Sequence, residues 1–150
     1  MCLFCNFVAG TSPCFKIWES ETHLAFLTIY PNTEGVTVVI PKKHLDSYVF
    51  KVSDQDMLDL VKAAKEVALL LDRKLGCGRT ALVFEGLGVN HLHAKLYPLH
   101  GLKSDAFDAW SQGEDTAGTY FENYQGYITT KDCTLKTLAE IEKTAHKITD

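Results

Sequence analysis

The stretch His91-Leu92-His93-Ala94-Lys95-Leu96-Tyr97-Pro98 alternates strictly between polar and apolar side chains up to its closing proline. Successive side chains of a β-strand point to opposite faces, so residues two apart share one. The pattern predicts a strand with Leu92, Ala94 and Leu96 on a core-facing side. His91, His93, Lys95 and Tyr97 fall on the other side, roughly 7 Å between next neighbours. Imidazole serves as nucleophile, general base or metal ligand near neutral pH. A row of two imidazoles beside a cation suits chemistry on a phosphate. The plainer alternatives are a metal site or a pair of ordinary strand histidines.

A chain of 150 residues is of single-domain size. It can bury about two-thirds of its unfolded surface without a disulfide staple. A net charge of −4 argues against nucleic acid or an anionic membrane held by a general basic surface. A phosphate ligand would need local compensation, for which Lys42, Lys43 and Lys95 are the candidates. No apolar run reaches the length of a membrane span, and no basic region precedes an apolar one at the N-terminus. Five cysteines, an odd number without a secretory signal, point to reduced thiols and a cytoplasmic protein. Cys14, Cys77 and Cys133 read as plain small residues, whereas Cys2 and Cys5 form a Cys-x-x-Cys. That pair by itself fits a metal site, a redox pair or an idle pair.

The spacing predicts strands over residues 15–19, 23–29, 35–40 and 80–84. Tyr30-Pro31-Asn32 marks a turn, and Pro41 closes the third strand. A long helix is predicted over 54–75. Ser53 is a suitable N-cap, Asp54 and Asp56 suit the positive end, Arg73 and Lys74 the negative end, and Gly76 the stop. Met57, Leu60, Val61, Ala64, Val67, Ala68 and Leu71 make its apolar stripe. Gly86 and Gly88 should turn the chain into the histidine strand. Residues 101–131 show no clear period, apart from a possible helical turn at Asp105–Trp110. Residues 134–147 read as a helix, with Leu135, Leu138, Ile141 and Ala145 on one side. Strands, a helix, then further strands give an α+β fold: an antiparallel sheet of about five strands, one long helix and a C-terminal helical extension.

His91-Leu92-His93-Ala94-Lys95-Leu96-Tyr97 resembles the signature of the histidine triad (HIT) family of nucleotide hydrolases and transferases, His-φ-His-φ-His-φ-φ, with Lys95 at the third histidine. Two further segments carry the resemblance. His23-Leu24-Ala25-Phe26-Leu27-Thr28-Ile29-Tyr30-Pro31 and Gly35-Val36-Thr37-Val38-Val39-Ile40-Pro41-Lys42-Lys43-His44 are similar to the family's nucleoside-binding strands. Cys2-Leu3-Phe4-Cys5 resembles the start of bacterial members. The likeness covers about residues 1–100, which implies a HIT-like core there, a C-terminal extension at about 101–150, and one domain in all.

The resemblance implies action at a nucleotide's α-phosphate through a covalent nucleotidyl-histidine on His93, with Lys95 beside it. It places nucleotide contacts at Phe26, Thr28, Ile29, Gly88, Asn90 and Lys95. It also implies a homodimer and, as in some bacterial members, a structural Zn2+ on Cys2, Cys5, His44 and His91. Expected substrates are nucleoside phosphoramidates or dinucleoside polyphosphates. The alternatives are transfer to an acceptor other than water, and a zinc-stabilised nucleotide-binding or sensing protein with little turnover. Three positions depart from the family pattern. Lys95 is an ammonium that donates and never accepts while charged. Thr28 stands where members carry an acid for the ribose hydroxyls. The loop Phe84–Asn90 is short, lacks a Gln and carries Glu85, read mainly as a loop residue, with orienting a histidine or a part in proton transfer as the alternative. His23 and His146 read as ordinary, and so does His100, although its nearness to the histidine strand in sequence keeps it a weak candidate for the site.

Overall fold

Five strands and three α-helices follow the chain order in the computed structural model, which describes residues 2–102, 120–124 and 136–150. They are α1 (Leu3–Ala9), β1 (Phe15–Glu19), β2 (His23–Leu27), β3 (Thr37–Pro41), α2 (Asp54–Leu75), β4 (Thr80–Val83), β5 (Ala94–Pro98) and α3 (Leu138–Thr149). All four strand pairings are antiparallel, in the order β1-β2-β3-β5-β4. The α+β expectation holds.

The long helix has the bounds its sequence signals predict. Ser53 Oγ accepts from the Asp56 amide, and Gly76 closes the helix at φ 66°, a left-handed conformation that glycine adopts without a Cβ penalty. Its buried stripe is Leu60, Ala63, Ala64, Val67 and Leu71, so Ala63 joins the predicted face and Val61 lies at its margin. Against this stripe the sheet sets Ile17, Ala25, Leu27, Val39, Ala94 and Leu96, joined by Leu92 from the segment before β5. Ile141 and Ile148 of α3 complete that core.

The opposite face of the sheet buries Leu24, Phe26, Val38 and Ile40 beneath Phe4 of α1. Alternation along β2 and β3 decides which side chain serves which face. Residues 23–27 illustrate this: all five are buried because both faces are covered, as in the buried strands of layered folds.

Three elements differ from expectation. The N-terminal helix α1 was not predicted, since seven residues with no side-chain cap are too few to stand on propensity. The histidine strand begins at Ala94, not His91. Upstream, the His91 amide bonds Val89 O at 2.8 Å and the Leu92 amide bonds Leu45 O at 3.0 Å. Those donors are therefore committed outside the ladder. The alternation nevertheless survives, with Leu92 in the α2 core and both histidine rings against Phe4. The last helix starts at Leu138, where Thr137 and Glu140 form a reciprocal capping box. Leu138 itself is 60% exposed and does not join the helix's buried side. The helical turn suggested at Asp105–Trp110, and Leu135 and Cys133, lie outside the described residues.

Candidate functional site

The site grows from a row across the sheet. Phe26 pairs with Val38, Val38 with Lys95, and Lys95 with Val83. These residues share the face beneath α1, and His93 lies two residues before Lys95 on the same side. In front of them is a cavity of about 550 Å³, within the range of small-ligand sites. Phe4, Phe7, Phe15, Phe26 and Tyr30 give it an aromatic lining, with His93 and Lys95 as its basic groups. Leu3 from α1 and Leu138 from α3 also reach it.

His93 is 3% exposed. Its Nδ1 lies 2.7 Å from the carbonyl oxygen of His91. A carbonyl only accepts, so Nδ1 donates and the neutral ring keeps a lone pair on Nε2. Burial lowers the imidazole's pKa. The bond to His91 O opposes that shift, Lys95 adds to it, and Glu85 opposes it. The balance favours a neutral ring, the nucleophilic form.

His91 is completely buried and is tied through its other ring nitrogen. Its Nε2 donates to Pro41 O at 2.8 Å, which leaves Nδ1 as the free electron pair. That nitrogen lies 3.5 Å from Cys2 Sγ and 3.6 Å from Cys5 Sγ, and Cys5 Sγ lies 3.3 Å from His44 Nδ1. The four ligand atoms of Cys2, Cys5, His44 and His91 all fall within 4.8 Å of one another. Tetrahedral zinc with Zn–S and Zn–N bonds of about 2.3 and 2.0 Å separates sulfur from nitrogen by about 3.5 Å. The set therefore fits zinc in spacing and in donor chemistry. The Pro41 carbonyl supplies the outer-shell partner that fixes a ligating imidazole. One residue thus links both centres: the His91 ring belongs to the cysteine cluster, and its carbonyl orients His93. Phe4 packs edge-on against both rings, with centroids at 5.8 and 5.6 Å.

Of the expected nucleotide contacts, Phe26, Thr28, Ile29, Gly88 and Lys95 line the cavity. Asn90 stands apart, exposed, with its Oδ1 accepting from the Ser47 amide at 3.1 Å. Thr28 Oγ1 accepts from the Tyr30 amide at 3.2 Å, so it also shapes the turn after β2. Lys42 and Lys43 do not join the cavity. Lys42 pairs with Glu19 at 2.8 Å and Lys43 with Asp56 at 3.7 Å. Lys95 is therefore the charged side chain lining it among the described residues. Glu85, undervalued in the sequence, reaches Lys95 at 3.4 Å. Cys14, read as a plain small residue, also lines the cavity. His100 Nε2 bonds Glu34 O at 2.8 Å, a structural role.

Comparison with known proteins agrees with this geometry. Residues 9–101 match the HIT domain. Protein hit of Bacillus subtilis is 34% identical over 120 residues, covering 76% of this chain and 81% of its own. An adenosine 5'-monophosphoramidase of Schizosaccharomyces pombe is 33% identical over 102 residues, covering 65% of this chain and 73% of its own. A crystal structure of a Zn-bound histidine triad family protein from Mycobacterium smegmatis superposes with a TM-score of 0.63 at 20% identity, covering 98% of this chain and 89% of its own. With the match spanning both histidines, the five strands and the part of the cavity they line, this chain belongs to the HIT family.

Proposed function

We propose that this protein is a nucleotide-binding hydrolase or nucleotidyl transferase that acts at the α-phosphate through His93. The observation that carries the reading is the His93 ring: tied through Nδ1 to His91 O at 2.7 Å, it ends a cavity that also holds Lys95. In the first step Nε2 attacks the α-phosphorus, the bond to the leaving group breaks, and the leaving group takes up a proton from water. In the second, water or another acceptor attacks the phosphorus. The P–Nε2 bond then breaks, and a nucleoside monophosphate or its ester departs. The covalent intermediate divides one hard displacement into two. Lys95 meets the phosphate charge, and the aromatic lining takes the base. The fission-yeast relative's phosphoramidase activity makes a nucleoside phosphoramidate the first substrate to try, with dinucleoside polyphosphates next.

Lys95 at the third histidine position defines a divergent branch in this reading. It also favours a second one: a nucleotide-binding or sensing protein with little turnover, because an ammonium relays protons poorly at neutral pH. Intact mass spectrometry decides between them. Incubation with adenylated and guanylated phosphoramidates should add one nucleotidyl group, lost in His93→Ala. Tight binding without an adduct or product would favour the second reading.

The same reading assigns a structural zinc to Cys2, Cys5, His44 and His91, a closed set that leaves His93 metal-free. Zinc there would hold α1 and the segment before β5 together and take no part in the reaction. The whole chain is read as one domain, with α3 packed on β1 and α2. We place a homodimer partner along the edge strand β4, which pairs with no further strand among the described residues and where Leu82 is 42% exposed; an edge strand invites pairing. A cytoplasmic location suits the free Cys2, Cys5, Cys14 and Cys77. No helix among the described residues is long and apolar enough to cross a membrane.

A further inference from the structure

Glu85 follows β4 by two residues, and the ladder pairs Val83 with Lys95. The ladder ends at that pair, and Glu85 lies in the loop that follows it. From there its Oε2 reaches Lys95 Nζ at 3.4 Å. The two side chains are only 22% and 17% exposed, so this pair is less screened than a surface ion pair. Lys95 lines the cavity, and Glu85 does not appear in its lining. The carboxylate thus holds the ammonium at the cavity wall.

A lysine carries its charge on a four-carbon stem with many rotamers. Unrestrained, it would meet a phosphate in only a fraction of them. We propose that Glu85 is the positioning residue of this site: its carboxylate holds Lys95 Nζ toward the phosphate beside His93, so the pair does together what one rigid side chain would do. This rests on reading the cavity as a nucleotide site. Glu85 takes no proton and forms no bond to substrate; the bonds made and broken are those of the transfer at His93.

The arrangement has a consequence for charge. With Lys95 in place the pair is neutral, and the ammonium bridges carboxylate and phosphate. Without Lys95, a poorly solvated carboxylate faces an anionic ligand and repels it. Loss of Lys95 should therefore harm binding by more than the missing cation, and removing the Glu85 charge should relieve part of that harm.

A double-mutant cycle on the full-length protein tests this, using Glu85→Gln, Lys95→Met and both together. The readouts are the rate of nucleotidyl adduct formation by mass spectrometry and the affinity for AMP by calorimetry. Melting curves check the fold. Glu85→Gln should slow adduct formation about tenfold when Lys95 is present and not at all when it is absent, a coupling expected only of residues acting through one another. Lys95→Met should weaken AMP binding about tenfold or more, and the second substitution should restore part of it. If Glu85→Gln melts early, Glu85→Asp replaces it, keeping the charge on a shorter stem and giving an intermediate rate. Equal effects of Glu85→Gln in both backgrounds, or none in either, would overturn the proposal. If wild type binds AMP but forms no adduct, the covalent reading fails while the AMP arm still decides. Recovery in the double variant then supports the Glu85 role, and additive loss refutes it. If wild type does not bind AMP, the nucleotide reading and this inference fall together.

Discussion

Phe4→Ala is the perturbation that best probes how the two histidine centres are held. Phe4 is 8% exposed, and its ring meets Phe26, His91 and His93 edge-on at 5.3, 5.8 and 5.6 Å. Truncating a buried Phe costs about 3–5 kcal/mol through lost transfer energy and the cavity left behind. The loss falls on α1, a helix of seven residues without a side-chain N-cap bond, and not on the separate core between the sheet and α2. Docking of α1 is also what brings Cys2 and Cys5 to His44 and His91. Docking energy lost there must reappear as metal affinity lost, because binding and local folding are linked. About 3 kcal/mol corresponds to roughly a hundredfold weaker zinc binding. The assay is competition with a chromophoric chelator, beside thermal melting of zinc-loaded and chelator-treated protein. The loaded protein should lose more melting temperature than the stripped one. Wild-type zinc affinity in Phe4→Ala would refute the claim that α1 docking assembles the metal set. Wild-type protein without stoichiometric zinc would refute the metal assignment itself.

His93→Ala should abolish the nucleotidyl adduct and reduce turnover by on the order of 10³-fold or more, with the protein still folded and zinc still bound; retained turnover would place the chemistry elsewhere. Gly35 sits at φ 85°, where an added Cβ would overlap Leu75 Cδ1 and approach Pro98 Cγ to 3.3 Å. Gly35→Ala should therefore cost about 1–3 kcal/mol, read as a lower melting temperature, and an unchanged melt would refute the clash. Burial lowers the His23 pKa, opposed in part by Asp59. The unfolded chain therefore binds more protons than the folded one as pH falls below the ordinary imidazole value of 6.5. This contribution to stability is complete above that pH and declines below it. His23→Gln should flatten that acid decline in denaturant titrations at pH 7 and below, and an unchanged slope would refute the assignment. Burial pushes the Cys77 thiol up to about 11, so iodoacetamide at pH 8 should label it only after unfolding; rapid labelling of the folded protein would contradict this.

Short-range patterns were legible in the sequence because their causes are short-range. The bounds of α2 follow from Ser53, the 3.6-residue stripe and Gly76, all within the helix or one residue of it. The two-faced character of residues 91–97 follows from alternation alone, and it survived even though the strand starts three residues late. The metal set was less legible. Cys2-x-x-Cys5 is local, but His91 joins it across 86 to 89 residues, a separation no periodicity encodes; only likeness to a family suggested it.

Tertiary structure decided the rest. It formed α1, whose seven residues gain little from helix propensity and depend on Phe4 packing under the sheet. It also decided which charges serve the cavity. Lys42 and Lys43 look equally available in the sequence, yet Glu19 and Asp56 take them up, while Lys95 is turned inward by its register opposite Val38. Asn90 and Glu85 lie in the same short loop and exchange their expected parts, one bonding Ser47 and the other Lys95. A side chain's role in a loop depends on which distant backbone passes beside it. Strand pairing sets that neighbour, so the sequence supplied the chemical groups and the fold chose among them.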